Sequence, residues 1–183
     1  QYESYIGSRM EVLDVENLER KVLFSTDHSI QAPNWTTDGK ALIYNSNGYL
    51  YRYDLASQKT RMLNTGFANR NNNDHVLSFD GKQMAISHHD DDDNGDSAIY
   101  TLPVEGSATP VRITKKGLGA SYLHGWSTDA KTLLFTGNRN GQYDIYGVDI
   151  ATGEETQLTN TPGLDDGPEF DPAGKYISFN SNR

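Results

Sequence analysis

Apolar residues in this sequence come in short runs closed on both sides by turn-forming residues. Ala41-Leu-Ile-Tyr44, Met84-Ala-Ile86 and Leu133-Leu-Phe135 each follow an Asp-x-Lys step and stop at Asn45, Ser87 and Thr136. Runs this short, rich in Tyr, Ile, Leu and Phe and bounded by Gly, Asn and Asp, read as strands. No segment sustains a 3.6-residue period, so no helix is predicted. The runs alternate only partly, as at Leu42, Tyr44 and at Leu134, Phe135, which predicts strands covered on both faces.

The runs recur. Trp35-Thr-Thr-Asp38-Gly39-Lys40 aligns with Leu77-Ser-Phe-Asp80-Gly81-Lys82, with Trp126-Ser-Thr-Asp129-Ala130-Lys131 and with Phe170-Asp-Pro-Ala173-Gly174-Lys175. The anchors stand at 35, 77, 126 and 170, steps of 42, 49 and 44 residues, which is the spacing of propeller blades. The long step contains the acidic stretch Asp90 to Asp96, read as a lengthened loop within one unit. The third unit shows four strands most clearly: Leu123–Trp126, Thr132–Thr136, Asp144–Val148 and Glu155–Leu158. Trp35, Trp126 and Phe170 are expected to pack between units.

The sequence Trp126-Ser-Thr-Asp-Ala-Lys131 followed by Phe135-Thr-Gly-Asn-Arg-Asn-Gly-Gln-Tyr-Asp-Ile-Tyr146 resembles the TolB-type, WD40-like (PD40) propeller repeat. The resemblance covers residues 9–183. It implies an all-β fold, a β-propeller of four-stranded blades, with 1–183 as one domain. Whole blades are read at 33-64, 75-114 and 124-158, the outer strands of a shared blade at 9-24, and the inner strands of a further blade at 168-183. Two half blades and three whole ones can close as a four-bladed ring. The resemblance instead implies a six-bladed ring whose remaining units lie outside this chain, and in that case uncovered blade faces invite self-association. It further implies a bacterial, periplasmic or otherwise extracytoplasmic protein, with a cytoplasmic place left open.

Composition narrows the partners. Of 183 residues, 16 are Lys or Arg and 25 are Asp or Glu, a formal net charge of −9. With no concentrated basic stripe, nucleic acid is not an expected partner. Cys is absent, which removes disulfides, thiolate metal sites and cysteine nucleophiles. No run of about 18 apolar residues marks a membrane span, and residues 1–7 lack the basic and apolar regions of a secretory signal. Neither a phosphate-binding Gly-rich loop, nor a G-x-S-x-G elbow, nor an HExxH helix is present.

Ligands of propellers meet the face where loops enter the innermost strands. Four residues before the anchors stand Gln31, Asn73, Tyr122 and Asp166, and two before them Pro33, His75, His124 and Pro168. Leaving out the two prolines, these residues with Asp74, Asp165 and Glu169 are the nine candidates for the channel-rim site. His75, His124 and Asp166 together have the donor types of a transition-metal site or an acid/base pair. Their other reading is polar lining of a wet channel. Asp90, Asp92 and Asn94 match the opening of a calcium loop, although Thr101 stands where the closing Glu belongs. The competing reading of that loop is a solvated, self-repelling insertion. His88 and His89 alternate across a strand and are read as a surface pair.

Two functions follow from the resemblance. The first is a non-catalytic scaffold that binds a protein or glycan partner through channel-rim loops. The alternative is a metal-dependent carbohydrate-active enzyme, similar to oligogalacturonate lyases, or a lactonase, with a divalent cation at the channel mouth. The reading leans to the scaffold and leaves catalysis open.

Overall fold

The computed structural model describes residues 7–183. Residues 1–6, on which part of the signal-peptide reading and the start of the domain assignment fall, lie outside the described residues. Among the described residues sixteen strands form five antiparallel sheets. β1 (Ser8–Leu13) and β2 (Arg20–Thr26) form a two-stranded sheet. The first complete blade is β3 (Gln31–Trp35), β4 (Ala41–Ser46), β5 (Tyr49–Asp54) and β6 (Lys59–Met62). The second is β7 (Asn71–Leu77), β8 (Gln83–His89), β9 (Ser97–Pro103) and β10 (Val111–Arg112). The third is β11 (Ser121–Trp126), β12 (Thr132–Arg139), β13 (Gln142–Asp149) and β14 (Glu155–Gln157). β15 (Asp165–Phe170) and β16 (Ile177–Ser181) close the chain as a second two-stranded sheet. No helix among the described residues is long and apolar enough to cross a membrane.

The repeated Asp-Gly-Lys step is a turn with its own hydrogen bonds. In each complete blade a hydroxyl at the end of the innermost strand reaches the turn aspartate, Thr36 to Asp38, Ser78 to Asp80 and Ser127 to Asp129, each at 2.7 Å. The aspartate accepts the Lys N–H two residues on, at 3.0, 3.0 and 3.1 Å. These donors hold the three carboxyls below the usual carboxylate range, the hydroxyl contributing most. In the last sheet Asp171 replaces hydroxyl and carboxylate together, accepting from Lys175 and Tyr176 at 2.6 Å. The residue between Asp and Lys is left-handed, Gly39 at φ 67° and Ala130 at φ 59°, a conformation that only glycine adopts freely.

In each complete blade both faces of the second strand are covered, because neighbouring residues point into different interfaces. Ile43 packs with Leu50, Met84 and Ile86 between the first and second blades, whereas Leu42 and Tyr44 pack on Met10 from β1. Ala85 turns the other way, toward Leu123, Trp126, Leu133 and Phe135 of the third blade. Each fully buried Leu, Ile or Phe contributes roughly 1.5–3 kcal/mol, so these interfaces hold the blades side by side. Hydrogen bonds add direction: Asn34 donates to the His75 carbonyl at 2.9 Å, Asn45 to those of Asn71 and Asn72 at 3.1 and 2.6 Å, and the Leu123 amide to Ser87 at 2.9 Å.

One packing expectation is corrected. Trp126 is 3% exposed, but Trp35 is 49% exposed. Trp126 packs in a cluster that Val76 of β7, the innermost strand of the preceding blade, helps to complete. The sheet that precedes Trp35 is the two-stranded β1–β2, which offers no innermost strand among the described residues.

Candidate functional site

Every innermost strand carries a register shift shortly before its anchor, between Gln31 and Asn34, Asn71 and His75, Leu123 and Gly125, and Asp166 and Glu169. Such bulges raise the local twist and re-aim side chains. They decide which of the aligned residues share a cavity.

Five of the nine rim candidates come together: Asn73, Asp74, Tyr122, His124 and Asp166 line an open chamber of about 520 Å³. His124 Nε2 lies 3.3 Å from Asp166 Oδ1. The same carboxylate oxygen accepts the Thr136 hydroxyl at 2.8 Å. Asp74 accepts from the Asn72 side-chain amide at 2.8 Å, and the Asp74 amide in turn donates to Asn72 Oδ1 at 2.8 Å. Burial pushes the Asp74 carboxyl above the usual carboxylate range, His124 pulls against that rise and Asp166 adds to it. Burial also raises the Tyr122 phenol, with Tyr143 next in effect. Two carboxylates, an imidazole and two phenols at one mouth form an acceptor-rich site suited to an ammonium or guanidinium group.

The other four candidates do not join the chamber. His75 is buried, with Nδ1 3.1 Å from the Asn73 carbonyl and Nε2 3.1 Å from the Ile43 carbonyl of the neighbouring blade. Burial lowers its pKa despite those contacts, and the ring lies buried between two blades, closed off from the chamber. Asp165 is buried, its Oδ2 3.8 Å from Arg183. Its pKa is lowered, chiefly by the Ser181 hydroxyl. Gln31 opens into a separate basin between the first two blades. Glu169 sits toward the other end of β15, in a pocket with Trp35, Phe79 and Phe170. The metal set His75, His124 and Asp166 is therefore not assembled, and no group of three or more His, Asp or Glu among the described residues is placed to hold a metal ion.

The acidic loop does not bring Asp90, Asp92 and Asn94 together, and it is solvated only in part. Asp90 accepts the Asp92 amide at 2.9 Å and the Tyr100 hydroxyl at 2.6 Å, and pairs with Arg112 at 2.5 Å. Arg112 also pairs with Asp93, which is buried. Asp92 and Asn94 are exposed, with Asn94 left-handed at φ 57°. Asp90 and Asp93 are thus directed at Arg112, while Asp91 pairs with Arg70 at the surface and Asp92 stands in solvent. His88 is likewise no surface residue: it is buried, edge-on to Phe67 and Tyr100.

Thr136, Tyr143 and Leu164 line the chamber without having been singled out from sequence. Thr136 and Tyr143 belong to the Thr-Gly-Asn-Arg-Asn-Gly-Gln-Tyr stretch of the quoted repeat. They reach the mouth from the second and third strands, which a column reading of innermost strands does not touch.

Repeated four-stranded antiparallel blades around a channel mouth define a β-propeller. An uncharacterized protein of Agrobacterium fabrum is 45% identical over 177 residues, 96% of this chain and 59% of that protein. A solved Agrobacterium tumefaciens structure assigned as TolB superposes at TM-score 0.89 with 43% identity, over 96% of this chain and 62% of that one. TolB of Acinetobacter baumannii follows at TM-score 0.72, 23% identity, 93% of this chain and 42% of that one. The fold is accordingly that of a TolB-like β-propeller. No family model matches the chain, and the chain spans about three fifths of the length of the Agrobacterium relatives. The oligogalacturonate lyase of Vibrio parahaemolyticus, 16% identical at TM-score 0.66 over 96% of this chain and 53% of that one, shares the fold alone.

Proposed function

We propose that this chain is a non-catalytic, TolB-like scaffold that acts outside the cytoplasm and docks a partner protein through a basic segment of that partner. The observation that carries the reading is the chamber in which Asp74, His124 and Asp166 face one another. A carboxyl whose charged form is disfavoured by burial gains from a cation brought against it, so an incoming Lys or Arg turns a local cost into affinity. The extracytoplasmic place is supported by the resemblance to the TolB-type repeat and by the TolB relatives. The metal-dependent enzyme alternative loses its proposed ligand set, because His75 faces the carbonyls of Ile43 and Asn73.

The test is fluorescence anisotropy with a panel of labelled Lys- and Arg-containing peptides. At least one basic peptide is expected to bind in a salt-sensitive manner, and Asp74→Asn and Asp166→Asn are each expected to weaken it about tenfold, the effect of about 1.4 kcal/mol. A carboxyl whose folded pKa is raised contributes stability that is present below its unfolded value and lost as pH rises through the folded value. Asp74→Asn is therefore also expected to raise the thermal midpoint at pH 7, a gain that fades as pH falls toward 4. Peptide binding that both Asn variants leave unchanged, or no basic peptide bound at all, refutes the docking site.

A further inference from the structure

The basin that holds Gln31 is a second site at the same mouth, separate from the acidic chamber and joined to it only at Asn73. It measures about 290 Å³, near the lower end of the roughly 300–1,000 Å³ of small-ligand pockets. Its wall is made of side-chain amides. Asn45 and Asn71 are partly used by the fold: Asn45 donates to two carbonyls of β7, and Asn71 donates to those of Gly48 and Ala68 at 2.9 and 2.7 Å. Asn71 is 6% exposed and lines the basin, yet its Oδ1 is buried with no hydrogen-bond partner among the described residues. A buried acceptor left in this state costs stability, and it stands behind the basin wall, out of reach of solvent. The Gln31, Asn69 and Asn73 side chains line the same space and take part in none of the hydrogen bonds that hold the described fold.

The charges at the basin are already answered. Among the described residues Arg70 is the one arginine at the basin, it pairs with Asp91, and no carboxylate lines the wall. His89 Nδ1 lies 3.1 Å from the Gly95 carbonyl, and a carbonyl only accepts, so Nδ1 carries a proton at that contact. A cationic ligand would look for carboxylates here and an anionic one for an unpaired Arg or Lys; neither is present. What remains is a set of neutral groups, each amide both donor and acceptor, which matches the hydroxyl, itself both donor and acceptor.

We infer that this basin binds the terminal unit of a neutral saccharide, whose hydroxyls exchange hydrogen bonds with the side chains of Gln31, Asn69, Asn73 and His89. The site rests on observations independent of the acidic chamber and goes beyond the docking of a protein there.

The experiment is saturation-transfer NMR and calorimetry with maltotriose, cellotriose and triacetylchitotriose, each up to about 10 mM, alongside galacturonic acid and glucosamine as charged probes. Gln31→Ala with Asn69→Ala is the informative variant, since neither side chain holds the fold; Asp166→Asn, in the other chamber, is the control. At least one neutral sugar is expected to bind, about tenfold more weakly to the double variant and unchanged in Asp166→Asn. The inference is overturned if no neutral sugar binds, if only a charged probe binds, or if the double variant binds as the unaltered protein does.

Discussion

The loops joining the second and third strands of neighbouring blades solve one problem in two ways. In the first and third blades the link is two residues, Asn47-Gly48 and Asn140-Gly141, all at positive φ between 52° and 87°. This is the turn whose twist suits a right-handed hairpin. In the second blade seven residues, Asp90 to Asp96, span from His89 to its partner Ser97. Five of them are acids, and a single 3₁₀ turn, Asp91–Asp93, organises them with Asp90 as its cap. A short turn needs only backbone permissiveness, whereas a long acidic one needs a counter-charge. Arg112 supplies it from β10, the outermost strand, together with the Tyr100 hydroxyl and the Gly117 amide, which donates to Asp93 at 2.9 Å.

The third blade also sets an arginine against a carboxylate, in another place and for another purpose. Arg139 ends β12 and forms a fork with Glu155 of β14 at 3.0 Å, the two side chains being 10% and 11% exposed. It also donates to the carbonyls of Gly119, Ala120 and Asn138 and lies 5.4 Å from the ring centres of Phe135 and Tyr146. Arg139→Ala is expected to have the largest effect, about 3–5 kcal/mol, because Glu155 is left buried and unpaired. Thermal unfolding should fall by on the order of 10 °C. Arg112→Ala is expected to cost less, about 1–3 kcal/mol, since Asp90 keeps Tyr100 and the Asp92 amide, and a surface loop can open its acids to water. Measured by urea denaturation, equal losses would break the comparison and show the acidic loop to be as tightly locked as the blade interior.

How much of this the sequence discloses depends on distance along the chain. The Asp-Gly-Lys turns, the blade period and the strands of the third blade are local and periodic, and the strands stand within a few residues of where the pattern puts them. The chamber was legible in part: Asn73, Tyr122, His124 and Asp166 follow from aligned columns and Asp74 stands beside them, but the bulge in β7 turns His75 away, into the neighbouring blade. A bulge changes facing by one residue and leaves no mark in a polar run such as Asn71-Asn72-Asn73-Asp74. Arg139 stands inside the quoted repeat, yet its partner Glu155 is 16 residues away. Arg112 is 22 residues from Asp90, in a segment with no motif. Ion pairs at that range depend on register, and composition does not encode register.

The smallest effect compares the Asp-x-Lys turns themselves. The first blade has Gly39 and the third Ala130, both left-handed. An L-residue held in that region costs roughly 1–2 kcal/mol, against which glycine loses about 0.4–1 kcal/mol through its looser unfolded chain. A methyl added at Gly39 meets nothing within 4 Å, so Gly39→Ala reports backbone strain and chain entropy alone and should destabilise by about 0.5–1 kcal/mol. Ala130→Gly reverses that balance but also removes a methyl that packs on the Trp126 cluster. The gain should therefore shrink to about 0.5 kcal/mol or less, a rise of about 1–2 °C in Tm. If Ala130→Gly instead lowers Tm while Gly39→Ala also lowers it, the methyl contact outweighs the strain, and alanine at this turn belongs to the packing of the blade, not to tolerance of a departed glycine.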